Sequence, residues 1–208
     1  MSVTALRAPL GHTTVASDKL GSYRNTQALI EMGCRPQLVV KLTAASMPEV
    51  KVLHRRFHGE EGADKGGRKA RSLLPLLENH PKHAASSLFY KIYASILALY
   101  GVERAMVHTD AFVRALMSYQ AADPSGAIDP DQAYLIASLH HTGEVLLTRC
   151  KVCPAQYMIS STPLSNRYNT TTGRCPLCYE LALLSADRGR VRVTDPKTQR
   201  EIFRDIIG

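Results

Sequence analysis

"RCKVCPAQYMISSTPLSNRYNTTTGRCPLC", residues 149–178, holds four of the chain's five cysteines, arranged as two C-x-x-C pairs. A two-residue spacer lets both sulfurs of a pair face one ion from a tight knuckle. A second pair then completes a tetrahedral set of thiolates. Cys150, Cys153, Cys175 and Cys178 are therefore expected to hold one structural zinc ion. Four protein ligands leave no open coordination position, so an enzyme is not expected. An iron–sulfur cluster and a pair of redox dithiols are the alternative uses of the same thiols. Residues 154–174, 21 positions, separate the pairs, slightly more than the usual spacing of about 15–20. "STPLSNRYNTTTG" has the composition to loop out of that span.

Other residues near this motif carry weaker signals. His140 and His141 precede Cys150 closely enough to be substitute ligands, but histidines in the last turn of a helix are favourable there without a metal. His58-Gly59-Glu60 spells the H-x-E of zinc deaminases. That chemistry also needs P-C-x-x-C, and here Arg149 and Arg174 precede the pairs, so the match reads as coincidence. Cys34 lies outside the set, at a helix junction, and reads as a small core residue.

Upstream of the cysteines the pattern is helical. "EVLLTR" alternates enough for a short strand leading into Cys150, and Asp129 caps a helix from Pro130 to about His141. Over 102–121, Val102, Met106, Thr109, Val113 and Leu116 recur at spacings of four and three, a helix–helix seam. Leu88 to Tyr100 is almost wholly apolar, with Phe89, Tyr93, Leu97 and Tyr100 as a stripe. Such a helix needs cover on every side, from the core or from a partner. "SLLPLLENHPKH" is expected to be broken by Pro75 and Pro81.

Three short helices are expected near 18–32, 36–45 and 47–58. The first carries Leu20, Tyr23, Ala28, Leu29 and Met32 as its apolar residues, with Gly33 as its stop. Ser46 and Glu49 form a capping box for the third, in which Val50, Leu53 and Phe57 share one face while Lys51, Arg55 and His58 share another. Tight connections within a three-helix unit suggest a helix-turn-helix. The fold class is thus mainly α, with a helix-turn-helix-like N-terminal unit and a small four-cysteine zinc-ribbon or knuckle region with short strands. The expected organisation is an extension over 1–17, a basic helical region over 18–71, a helical core or partner region over 72–143, the zinc region over 144–185 and a tail over 186–208.

Charge points to a partner. The net charge is +8, and residues 1–71 carry 12 Lys and Arg against 6 Asp and Glu. A basic N-terminal third is the electrostatic footprint of a polyanion, nucleic acid being the commonest. Lys51, Arg55, Arg56, Lys65, Arg68, Lys69 and Arg71 are the candidate DNA contacts. No apolar run reaches the roughly 18 residues of a membrane helix, and the first 20 residues lack the apolar core of a signal peptide. The cytoplasm is the expected compartment, and its reducing conditions favour metal or free thiols over disulfides.

The order of parts is also familiar. "ALIEMGCRPQLVVKLTAASMPEVKVLHRRFHG", then "GRKARSLLP", then "AASSLFYKIYASIL", then the double C-x-x-C, resembles the FlhC family over roughly residues 18–184. FlhC is a subunit of the bacterial flagellar master transcriptional activator. The resemblance implies a helical protein with one zinc on Cys150, Cys153, Cys175 and Cys178. It further implies a heterohexamer with an FlhD-like subunit, promoter DNA binding and recruitment of RNA polymerase. Under a second reading, the chain is a zinc-ribbon adaptor that binds protein without touching DNA.

Overall fold

A computed structural model describes residues 15–63, 72–101, 106–161 and 173–187. The chain divides into two compact units, Met1–Lys69 and Ala70–Gly208.

The first unit contains α1 (Val15–Glu31), α2 (Pro36–Thr43) and α3 (Met47–Ala63), each packed on the other two. Pro36 opens α2, where its missing N–H costs nothing. Ala44, in the left-handed region at φ 56°, ends α2 and leaves a turn of only three residues before α3. The capping box forms as the sequence predicts: Ser46 N–H donates to the Glu49 carboxylate (3.1 Å) and Glu49 N–H to Ser46 Oγ (3.4 Å). Gly59, at φ 73° and ψ −177°, breaks the helical run of α3 just past the expected end at residue 58, and helical turns resume to Ala63.

The buried faces differ in detail from the expected ones. On α1 the core residues are Thr26, Leu29 and Ile30, whereas Leu20 and Tyr23 are exposed. On α3, Val50 is fully buried but Phe57 is exposed, and the second core position is His54. Two histidines of α3 bond backbone carbonyls in and just after the last turn of α1. His54 Nε2–H donates to the Cys34 carbonyl (2.8 Å) and His58 Nε2–H to the Ile30 carbonyl (2.7 Å). The Ile30 carbonyl, in the last turn of α1, also accepts from Gly33 N–H (2.9 Å), and Cys34 lies in the connection to α2, so the two histidines, one turn apart on α3, tie it to the end of α1 and to the turn that follows. His58 is exposed on the same side of α3 as Lys51 and Arg55, as expected, and its ring also reaches the last turn of α1. Cys34 is wholly buried, as a small core residue should be.

The second unit is built around one helix. It contains α4 (Leu74–Glu78), α5 (His80–Tyr100), α6 (Thr109–Ala122), α7 (Pro130–Thr142), β1 (Val145–Arg149), β2 (Gln156–Ser160) and α8 (Pro176–Asp187). Pro75 and Pro81 do not break a helix; each lies in the first turn of one, α4 and α5. The Asn79 side chain caps α5 by accepting from Lys82 N–H (3.0 Å). α5 is in contact with α4, α6, α7, α8 and β2, which gives the apolar helix cover from five elements. Phe89, Tyr93 and Leu97 are buried, and Phe89 meets Phe112 and Tyr119 of α6 edge-on at 6.1 and 5.9 Å.

α6 begins later than its periodicity suggests. It starts at Thr109, with the His108 ring accepting from Ala111 N–H (3.3 Å) as its cap, and Met106 lies before it, exposed. Val102 lies outside the described residues. The buried residues of α6 are Ala111, Phe112, Val113, Ala115, Leu116 and Tyr119, so of the expected seam Val113 and Leu116 are buried. α7 carries a full capping box, Asp129 with Gln132, at 2.8 and 3.0 Å.

β1 and β2 form an antiparallel hairpin with Leu147 opposite Met158. Cys150 N–H to the Ala155 carbonyl and Ser161 N–H to the Glu144 carbonyl, both 2.9 Å, fix which pairs exchange backbone bonds. By alternation, Met158 turns its backbone groups away from β1. α5 supplies both partners: His83 Nε2–H donates to the Met158 carbonyl (2.6 Å) and Ser87 Oγ accepts from Met158 N–H (3.0 Å). Tyr90 Oη donates to the Val145 carbonyl (2.9 Å). His83, Ser87 and Tyr90, spaced by four and three, are a buried polar stripe that fixes the hairpin to α5. No described helix is long and apolar enough to cross a membrane.

Candidate metal centre

The hairpin and α8 bring the two C-x-x-C pairs together. Cys150 and Cys153 occupy the turn between β1 and β2, closed by the Cys150–Ala155 backbone bond. Cys175 immediately precedes α8 and Cys178 lies in its first turn, where Tyr179 N–H donates to the Cys175 carbonyl (3.0 Å). Lys151 N–H donates to the Gly173 carbonyl (2.8 Å), which ties the two knuckles to each other. The four Sγ atoms lie within 4.8 Å of one another, and Cys153 and Cys175 are 3.6 Å apart.

These dimensions fit one metal ion. Four bonds of about 2.3 Å to a tetrahedral centre place the sulfurs about 3.8 Å apart. Tyr157 packs with Cys150, Cys175 and Cys178 in a small buried cluster, with Cys153, Ala155 and Ile159 at its edge. Ala155, Tyr157 and Ile159 share a face of the strand by period two. α8 is held from the other side, where the Tyr179 ring lies 4.9 Å from that of His80 at the start of α5.

The electrostatics ask for a cation. Burial pushes the Cys150 thiol up, but the backbone N–H groups of Cys175, Val152 and Cys153 outweigh it and bring the thiol down to about 6. Two of these donors lie 3.2 Å (Cys175) and 3.4 Å (Val152) from its sulfur. Burial raises Cys175 to about 11, and it raises Cys178 further, with the sulfurs of Cys153 and Cys175 adding to the effect. One sulfur is thus prepared as a thiolate while its neighbours resist becoming like charges at close range. A bound divalent cation removes that conflict.

No family model and no curated protein matches the chain.

The remaining candidate residues fall elsewhere. Lys51, Arg55 and Arg56 are exposed on α3. Lys65, Arg68, Lys69 and Arg71 lie outside the described residues, as does most of the segment between the cysteine pairs. His140 and His141 are not metal ligands among the described residues: His140 Nδ1 is 2.9 Å from Tyr90 Oη, and His141 Nε2 is 2.8 Å from Tyr93 Oη. Because Tyr90 spends its proton on Val145, His140 is the donor in that pair. His58 is engaged with Ile30 and belongs to no metal-binding group among the described residues. Gly173, whose carbonyl joins the knuckles, is a site residue that spacing alone does not single out; its one signal is a glycine two residues before Cys175.

Proposed function

We propose that this chain is an FlhC-like, DNA-binding subunit of a transcriptional activator. It carries one structural zinc on Cys150, Cys153, Cys175 and Cys178. It works in the cytoplasm in a hetero-oligomer with an FlhD-like subunit, at promoters of flagellar genes, where the complex recruits RNA polymerase. The observation that carries this reading is the outer face of α3. Lys51, Arg55 and Arg56 are exposed there, directly after a three-residue turn from α2, while Val50 and His54 of the same helix are buried in the core of the unit. A basic helix face mounted on a small helical unit suits phosphate contacts, which give affinity, and groove contacts, which give sequence choice. The four-sulfur centre supports a non-enzymatic role, since a closed tetrahedral site has no position for substrate.

The test is fluorescence anisotropy of the full-length, metal-loaded chain on a flagellar promoter duplex, with and without an FlhD-like subunit. Binding should weaken steeply as salt rises, and replacing Lys51, Arg55 and Arg56 by Glu should abolish it while leaving partner assembly intact. Affinity indifferent to both salt and these substitutions would refute the reading.

One observation favours the adaptor reading. A groove of about 470 Å³ between α5 and α6 is lined by Ile96, Leu99, Tyr100, Arg114, Met117 and Ser118. Leu99 is 86% exposed at its rim, an apolar side chain suited to contact with a protein. If the chain assembles with its partner but gives no DNA binding alone or in the complex, this reading replaces the first.

A further inference from the structure

Three cations border the metal knuckles. Arg149 and Lys151 flank Cys150, and Arg174 precedes Cys175. All three are exposed, and none makes an ion pair with another described residue. The Lys151 chain runs across Gly173: a Cβ on that glycine would lie 2.5 Å from Lys151 Cδ. Lys151 therefore lies alongside the residue next to Arg174. Glu180 is the one acidic residue in 145–161 and 173–182.

These cations have a bland role available, offsetting the negative charge of four thiolates around a divalent ion. The geometry argues against it as their main task. The sulfurs are served by backbone donors, with Val152 and Cys175 N–H on Cys150 and Cys178 N–H on Cys175. The three charged side chains are left facing water. They also stand on a turn pinned by a metal site and by the Lys151–Gly173 bond, so little conformational freedom is lost when the turn meets a ligand.

We infer that the metal knuckle is a second phosphate-contacting surface, on the C-terminal unit, with Arg149, Lys151 and Arg174 binding the backbone of a nucleic-acid duplex. This inference rests on the DNA-binding reading above and adds a surface outside α3. Contacts of this kind add affinity and salt dependence without base preference.

The experiment compares wild-type protein with the triple variant Arg149→Gln, Lys151→Gln, Arg174→Gln, full length and zinc-loaded, on a 25-base-pair duplex over a salt series. The probe is the same duplex in every arm. Wild-type affinity at low salt should exceed that of the variant by about tenfold or more, and the log–log salt slope should become shallower by about 0.9 for each phosphate no longer neutralised. A variant with Arg149→Lys, Lys151→Arg and Arg174→Lys should keep wild-type binding. Zinc content and the circular dichroism spectrum should be unchanged in both. No wild-type binding to any duplex defeats the DNA-binding reading itself. Wild-type binding with an identical variant slope defeats only this inference. So does loss of zinc from the Gln variant, which would assign the cations to the metal. The same holds if binding to poly-L-glutamate falls while DNA binding does not, which would assign them to an acidic protein.

Discussion

Gly173 shows how much one residue can hold. Its φ of +79° lies where side-chain-bearing residues are strained, and its carbonyl takes the Lys151 N–H that joins the knuckles. An alanine there would also press its Cβ against the Lys151 chain, at 2.5 and 2.6 Å from Cδ and Cε. The lysine tail can swing aside, but the backbone strain remains, at about 1–2 kcal/mol. Gly173→Ala should therefore weaken zinc binding by about tenfold in a chelator competition, since about 1.4 kcal/mol is a factor of ten. Wild-type affinity in that competition would show that the turn relaxes freely. At this scale the sequence was legible where chemistry dictates spacing and silent where geometry does. C-x-x-C marks candidate ligands because its spacing lets two sulfurs reach one ion. Nothing in the letters around Gly173 reveals that its carbonyl faces Lys151.

At the scale of elements, α5 is both the hub of the second unit and the clamp on the hairpin. Burial lowers the pKa of His83 from its ordinary 6.5, with the Met158 carbonyl opposing the effect and His80 adding to it. Its Nε2–H is committed to Met158, and Nδ1 is buried without a hydrogen-bond partner, so a second proton has nowhere favourable to go. The folded state therefore binds that proton less readily than the unfolded chain. Stability from this group is full above pH 6.5 and is lost as pH falls through that value toward the lowered folded pKa. The slope contributed is at most about 1.4 kcal/mol per pH unit. Urea unfolding of wild type and His83→Gln between pH 7.5 and about 5 should show a flatter profile for the variant; parallel profiles would exclude His83 as the titrating group. The apolar stripe of Phe89, Tyr93 and Leu97 was readable from periodicity. The polar stripe beside it was not, because His83, Ser87 and Tyr90 look ordinary until a strand edge needs a donor and an acceptor. Pro75 and Pro81 misled for a related reason: proline forbids the interior of a helix but suits its first turn, and only the caps tell the two apart.

For the whole molecule, the division at Lys69 and the placement of all four clustered cysteines in the second unit imply separable stabilities. Structural metal binding is coupled to folding, so chelation should act locally first. Hydrogen exchange after zinc removal should show lost protection over β1, β2 and α8, with α1 to α3 still protected; uniform protection throughout would mean the metal adds nothing to the fold. Metal analysis of the untreated protein should return one zinc per chain, and Cys175→Ser should reproduce the chelated pattern. The mainly helical class was legible because long apolar periodicity survives without knowledge of tertiary contacts. The hairpin's second strand was less so, since "QYMIS" is five residues long and buried at both Tyr157 and Met158, which removes the alternation that would announce it. That burial has a further consequence. A two-stranded ribbon offers free edges on which a neighbouring molecule can add a strand, the first step of edge-to-edge aggregation. By giving the two outward backbone groups of Met158 to His83 and Ser87, the fold closes the middle of that edge with side chains of its own, so the hairpin is guarded against self-association by the same helix that positions its cysteines.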